Sequence, residues 1–167
     1  MRVTSFAEME DEFMARVCRM VWCNVATVDG HGRPRSRVLH PIWEGSTGWI
    51  ATRPQSPKAA DLAANPYVSL AYIAEPIYPV YADCLAQWED DPAVKQHVWD
   101  LCRTTPPPLG YDPASIFKAV DAPEYGVLRL TPYRIQLDDV SGAGERRIVW
   151  YADATRRCDA GSPALAR

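Results

Sequence analysis

The sequence predicts a mainly β protein, an antiparallel barrel with added helices in a single domain. Three observations predict it. Six or seven short runs are rich in β-branched and aromatic residues, the composition of strands. Most of these runs are joined by short connections carrying Gly, Pro or Asp, which favours hairpins. Helical runs are few, and 167 residues suffice for one domain with a real core.

The chain opens with Ser5-Phe6-Ala7-Glu8, a capping-box pattern. Phe6, Met9, Phe13, Val17 and Met20 recur at helical spacing, which predicts a helix from about Phe6 to Met20 with that stripe on the barrel. Val21 to Val28 reads as a strand, and Asp29-Gly30-His31-Gly32 as the turn of a hairpin. The returning strand runs from Arg33 to Trp43. Alternation puts Arg35, Arg37, Leu39 and Trp43 on one of its faces and Ser36, Val38, His40 and Ile42 on the other. Glu44 to Gly48 turns the chain into a strand, Trp49 to Thr52. A helix from Lys58 to Asn65 and a strand from Tyr67 to Tyr72 follow. Val80 to Trp88 is a long strand with Cys84 near its middle. Asp91-Pro92 opens a helix to about Arg103, Thr104 to Pro108 is expected to be extended, and Asp112-Pro113 starts a short helical turn to Phe117. Tyr125 to Leu130 and Tyr133 to Leu137 read as two strands around Thr131-Pro132. From Ser141 the composition changes. A loop through Arg147, a last short strand from Ile148 to Ala152 and a frayed end from Cys158 to Arg167 are expected. Residues 1–140 thus form the domain, and 141–167 an extension that is partly disordered or an arm toward a partner.

The stretch from Arg33 to Lys58 carries the candidate site. Ser56 suits an N-cap and Pro57 the first helical position, where its missing N–H costs nothing. Asn65-Pro66 stops the helix. The free N–H groups and the positive end of the helix dipole then lie near Thr52, Ser56 and Lys58, where a phosphate is a natural guest. The plainer alternative is an ordinary capped helix with a solvated lysine. The preceding strand adds Arg33, Arg35 and Arg37, either as anion ligands or as a ladder facing solvent.

This run resembles the pyridoxamine 5'-phosphate oxidase-like superfamily of FMN-binding split barrels and their deazaflavin-using relatives. The likeness rests on the strand "GRPRSRVLHPIW", on the spacing of Thr52, Ser56 and Lys58, and on "NPYVSLAY" from Asn65 to Tyr72. It extends from about Val21 to Trp88, with a weaker echo at "YGVLRLTPYRIQL". The resemblance implies an antiparallel split barrel that holds FMN, or alternatively F420, in a groove at a homodimer interface. The implied cofactor residues are Arg35, Ser36, Arg37, Val38, Leu39, Ala51, Thr52, Ser56 and Lys58. Backbone around Val38, Leu39 and Ala51 would face the ring, and Arg37, Thr52, Ser56 and Lys58 would hold the phosphate. The implied activity is an oxidoreductase that moves hydride to or from a small organic substrate. The ring carries the redox chemistry, so no dedicated acid or base is named. Relatives that oxidise pyridoxamine phosphate carry basic residues where this chain has Pro41 and Pro57, which disfavours that activity. Many relatives also place a glycine near Cys84, which leaves the local barrel curvature open. A flavin carrier or sensor without turnover, and a small barrel that binds single-stranded nucleic acid, are the rival readings.

Charge and composition narrow the choice. A net charge of −3 gives no global attraction to nucleic acid. No apolar run approaches the ~20 residues of a membrane helix. The acidic start, with Glu8, Glu10, Asp11 and Glu12, is unlike a signal peptide, so a cytoplasmic location is expected. Five scattered cysteines form no C-x-x-C pair, and His31, His40 and His97 lie far apart, so neither a disulfide framework nor a metal site is expected.

Overall fold

Asp29 sets the first hairpin. Its carboxylate accepts the backbone N–H of His31 at 2.9 Å and of Arg33 at 3.0 Å, and pairs with the Arg33 guanidinium at 2.9 Å. These donors, the Arg33 backbone first, hold its carboxyl well below the usual carboxylate range. The turn joins β1 (Cys23–Val28) to β2 (Pro34–Leu39) with Val25 opposite Arg37. A computed structural model describes residues 1–142 and 144–152 of the chain; the frayed end expected from Cys158 to Arg167 lies outside the described residues.

The remaining strands are β3 (Ile42–Glu44), β4 (Thr47–Thr52), β5 (Tyr67–Tyr72), β6 (Val80–Glu89), β7 (Gly126–Asp139) and β8 (Arg146–Tyr151). Their pairings are antiparallel, in the order β2-β1-β5-β6-β7-β4-β3, with β8 added on β7. β2 and β3 stand at opposite ends of this path, yet only His40 and Pro41 separate them in the chain. Two linking residues span at most about 11 Å between Leu39 and Ile42. The sheet therefore curls until its ends meet. They meet without a ladder, because among the described residues β2 pairs only with β1 and β3 only with β4. The result is an antiparallel split barrel in a single domain, with an unzipped seam.

Three expectations are corrected. The strand expected from Arg33 to Trp43 ends at Leu39, because Pro41 cannot donate to a ladder. Trp43 consequently turns into the core, edge-on to Phe13 at 4.9 Å and donating to the Tyr72 hydroxyl at 2.8 Å. Thr131-Pro132 does not divide two strands; β7 runs through it. The register against β6 slips there, from Asp83↔Arg134 to Cys84↔Pro132, so Tyr133 is a bulge. A bulge is where a central strand tolerates proline, and it adds local bend beside the buried Cys84. Pro106 to Gly110 is a turn and not an extended run, held by Gly110 N–H on the Pro106 carbonyl at 3.0 Å and Tyr111 N–H on the Cys102 carbonyl at 2.8 Å.

Helices close the barrel on two sides. The capping box at Ser5 starts a short 3-10 turn, Phe6–Glu8, and α1 (Glu10–Met20) follows after Met9. α1 buries Phe13, Val17 and Met20 in the barrel core with Ile50, Leu70, Tyr72 and Leu130. α2 (Pro57–Ala64) packs on β1 and buries Leu62 in that core. A second apolar cluster lies outside the barrel. There α3 (Pro92–Thr104), α4 (Ala114–Phe117) and the segment between them set Val98, Trp99, Phe117 and Leu109 against Trp49 and Val127. No helix among the described residues is long and apolar enough to cross a membrane.

Gly110 fixes how the segment between α3 and α4 folds back. A Cβ at this position would stand 1.7 Å from the Thr105 carbonyl oxygen, a backbone atom that cannot swing away. Gly110→Ala is therefore expected to lower stability by about 1–3 kcal/mol, the range for forced overpacking. Urea denaturation checks this; an unchanged midpoint contradicts the tight turn.

Candidate functional site

The seam opens into a cavity of about 520 Å³. On one side stand Val38 and Leu39 of β2, on the other Ile50, Ala51 and Thr52 of β4. Both strands present backbone edges there, since β3 covers β4 only as far as Trp49. Unpaired N–H and C=O groups at a sheet edge are ready partners for a flat polar ring.

One end of the cavity is cationic. Lys58 lines it, only 7% exposed, and its Nζ donates to the Ser56 hydroxyl at 2.8 Å. Among the described residues no carboxylate lies within ion-pair distance of Lys58. Burial first, then the neighbouring charges of Arg37 and Arg53, push its pKa below the ordinary lysine value. Ser56 occupies the N-cap position of α2, but its side chain makes no capping bond, so the hydroxyl serves the lysine. Arg53 also lines the cavity, close enough to lower the Lys58 pKa, and its guanidinium bridges toward α4, donating to the Ile116 carbonyl at 3.4 Å and lying 5.8 Å from the Phe117 ring centre.

The strand arginines are placed differently from one another. Arg37 donates to the Thr27 hydroxyl at 2.9 Å and to Asp61 of α2 at 3.1 Å, and Thr27 donates to the same carboxylate at 2.8 Å. Asp61 thus anchors Arg37 beside the cationic end. Arg35 is exposed and faces Asp29 at 3.4 Å, and Ser36 is exposed. Of the residues expected at the site, the cavity wall brings together Val38, Leu39, Ala51, Thr52, Ser56 and Lys58. Arg35, Ser36 and Arg37 stand outside that wall.

The other end is apolar and was not legible as a site. Trp22 and His40 meet there, ring centres 4.9 Å apart, and Tyr111 lies 5.2 Å from His40. Ile116 and Phe117 of α4 complete the wall. These residues come from separate segments, and no local pattern links them. Burial pushes the His40 imidazole below its ordinary pKa. Among the described residues no Asp or Glu lines the cavity. Among the described residues, no three His, Cys, Asp or Glu side chains gather as metal ligands do.

The family model for pyridoxamine 5'-phosphate oxidase matches residues 9–137, a span that contains β1 to β6, the seam and α2. No curated protein matches the chain. Among solved structures, the chain is similar to a protein from Clostridium acetobutylicum related to general stress protein 26 of Bacillus subtilis. They share 17% identity over 87% of this chain and 96% of that one, with a TM-score of 0.68. A pyridoxamine 5'-phosphate oxidase-related, FMN binding protein from Nostoc punctiforme shares 15% identity over 93% of this chain and 95% of that one, with a TM-score of 0.66. An F420 reductase shares 18% identity over 72% of this chain and 93% of that one, with a TM-score of 0.54. Identities this low speak for the fold alone, whereas the family match covers most of the chain. With the split-barrel topology, and the seam strands and α2 inside the matched span, the chain belongs to the pyridoxamine 5'-phosphate oxidase family.

Proposed function

We propose that this protein is an oxidoreductase that holds FMN in the seam, at a homodimer interface, and exchanges hydride with a small organic substrate. The deazaflavin F420 is the alternative cofactor, since the same phosphate cradle serves either. The Nostoc relative is described as FMN binding and another structural neighbour as an F420 reductase, which supports this range.

Lys58 is the observation that carries the reading. Lysine is almost never fully buried without a partner. Here it is buried at the start of a helix, beside Arg53 and Arg37, with one hydroxyl for company. Such a group of cations asks for an anion, and a phosphate supplies two charges and several acceptors. Lys58, Ser56, Thr52 and the first N–H groups of α2 would hold it. Arg37 would lend charge from its seat on Asp61, and Arg35 and Ser36 are the next candidates along the strand. Val38, Leu39 and Ala51 would flank the ring with their backbone edges.

A flavin or deazaflavin supplies the redox chemistry when bound. The chain's part is to anchor the phosphate, orient the ring along the seam and keep water from its inner face. Trp22, Val38 and Ile116 are 57%, 59% and 45% exposed beside the cavity, an apolar rim that a second copy would cover.

Lys58→Ala should weaken FMN binding roughly 10- to 150-fold, the equivalent of one charge-assisted hydrogen bond. Wild type and variant should bind riboflavin, which lacks the phosphate, about equally and weakly. Fluorescence titration measures both; an equal loss for FMN and riboflavin contradicts the phosphate role. Sedimentation of the FMN-loaded protein should show a dimer at micromolar concentration, and a monomer throughout contradicts the interface.

A further inference from the structure

The apolar end of the cavity carries costs that its own packing does not explain. Val21, a buried β-branched residue, has φ 59° and ψ −63°, and the Trp22 N–H reaches back to the Met20 carbonyl at 2.6 Å. This is a γ-turn of the rare, strained kind with positive φ. Lys118, at φ 66° and ψ −55°, makes a second such turn, with Ala119 N–H on the Phe117 carbonyl at 2.8 Å. These are the two non-glycine residues with positive φ among the described residues. Each adjoins a residue of the cavity wall, Trp22 in one case and Phe117 in the other. Backbone strain of this sort persists where the surroundings impose it, and it collects at ligand sites.

A third cost sits beside them. His40 Nε2 is buried and has no hydrogen-bond partner. Neither Trp22 nor Tyr111, whose ring centres lie 4.9 and 5.2 Å from that of His40, hydrogen-bonds to it. Burial lowers the imidazole pKa, and hydrogen bonding to the Leu109 backbone opposes this only in part, so the ring is neutral near pH 7. A neutral imidazole keeps one nitrogen as an acceptor, and the unpartnered Nε2 is in position to be that acceptor. An acceptor left unsatisfied in a protein interior is costly, and a ligand that donates to it recovers that cost. Among the described residues no Asp or Glu of the wall answers a cationic ligand.

We propose that Trp22 and His40 select the occupant of the apolar arm: a flat, uncharged ring that stacks on Trp22 and donates one N–H or O–H hydrogen bond to His40 Nε2. Because Nε2 is buried, this bond requires a shift of a neighbouring side chain, and Trp22, 57% exposed with its ring centre 4.9 Å from that of His40, is the one placed to make it. His40 is thus a specificity residue, and no proton transfer is asked of it. The assignment rests on the cofactor reading in giving the cationic end of the cavity to the phosphate and leaving this arm to the substrate.

The test uses FMN-loaded protein and two probes, indole and 1-methylindole, which share a ring and differ in the donor. Saturation-transfer NMR reads probe affinity, and flavin absorbance in the same samples reads FMN uptake. Wild type should bind indole at least about fivefold more tightly than 1-methylindole, the low end for an acceptor satisfied against one left unpaired. His40→Phe should bring indole down to the 1-methylindole level and leave 1-methylindole unchanged. His40→Gln, which keeps an acceptor at similar reach, should restore part of the preference. Trp22→Ala should weaken both probes alike. Equal binding of the two probes by wild type, or a preference that survives in His40→Phe, overturns the proposal. FMN uptake without a preference overturns it alone. A preference in protein that takes up no FMN overturns the cofactor reading and leaves the role of His40 standing.

Discussion

Two residues, His40 and Pro41, impose the constraint on which the rest depends. They tie together the strands at opposite ends of the sheet, so the barrel closes by chain connectivity and not by hydrogen bonds. A barrel closed by a ladder has no free edge. This one keeps a length of unpaired backbone on β2 and β4, with apolar side chains behind it. The same link that closes the barrel carries His40 into the seam and, through Pro41, frees Trp43 to fill the core against Phe13 and Tyr72. Closure, core and site are therefore consequences of one short connection.

Charge then gives the seam a direction. Lys58 lines one end, and Arg37 and Arg53 are close enough to depress the lysine pKa. Asp61 of α2 neutralises Arg37 in part, but it is bonded to Thr27 of β1 and does not pair with Lys58. One carboxylate among three cations leaves an excess of positive charge in a chain whose net charge is −3. The far end has aromatic rings and a neutral histidine. A ligand with an anionic tail and a flat body would match that polarity. The wall opposite the strands comes from the segment after α3, and it stays in place because Trp99, Leu109 and Phe117 pack in a cluster of their own outside the barrel.

Local signals in the sequence were reliable where one short segment decides its own conformation. Ser56-Pro57 and Asn65-Pro66 bracket α2 within one residue of where it lies, and Asp29-Gly30 fixes the first hairpin and its register. Alternation along β2 correctly put Arg35, Arg37 and Leu39 on one face, since they pair with Thr27, Val25 and Cys23. What each arginine would touch could not be read, because Asp61 approaches Arg37 from a helix that packs across β1. Ser56 was legible as a cap by position, yet its hydroxyl goes to Lys58, a competition that only side-chain geometry decides. Pro132 looked like a strand breaker because a register slip is a property of two strands together. Trp22, Tyr111 and Phe117 were invisible as site residues for the same reason: three distant segments bring them together.

The most direct measurement is the mass of the small molecule that leaves native-source protein on denaturation. If the cationic end of the seam is a phosphate cradle, that molecule is a phosphorylated flavin or deazaflavin, in an amount that approaches one per chain. Release of a ligand that lacks the phosphate or the ring contradicts the account, as does protein that releases nothing and takes up neither FMN nor F420.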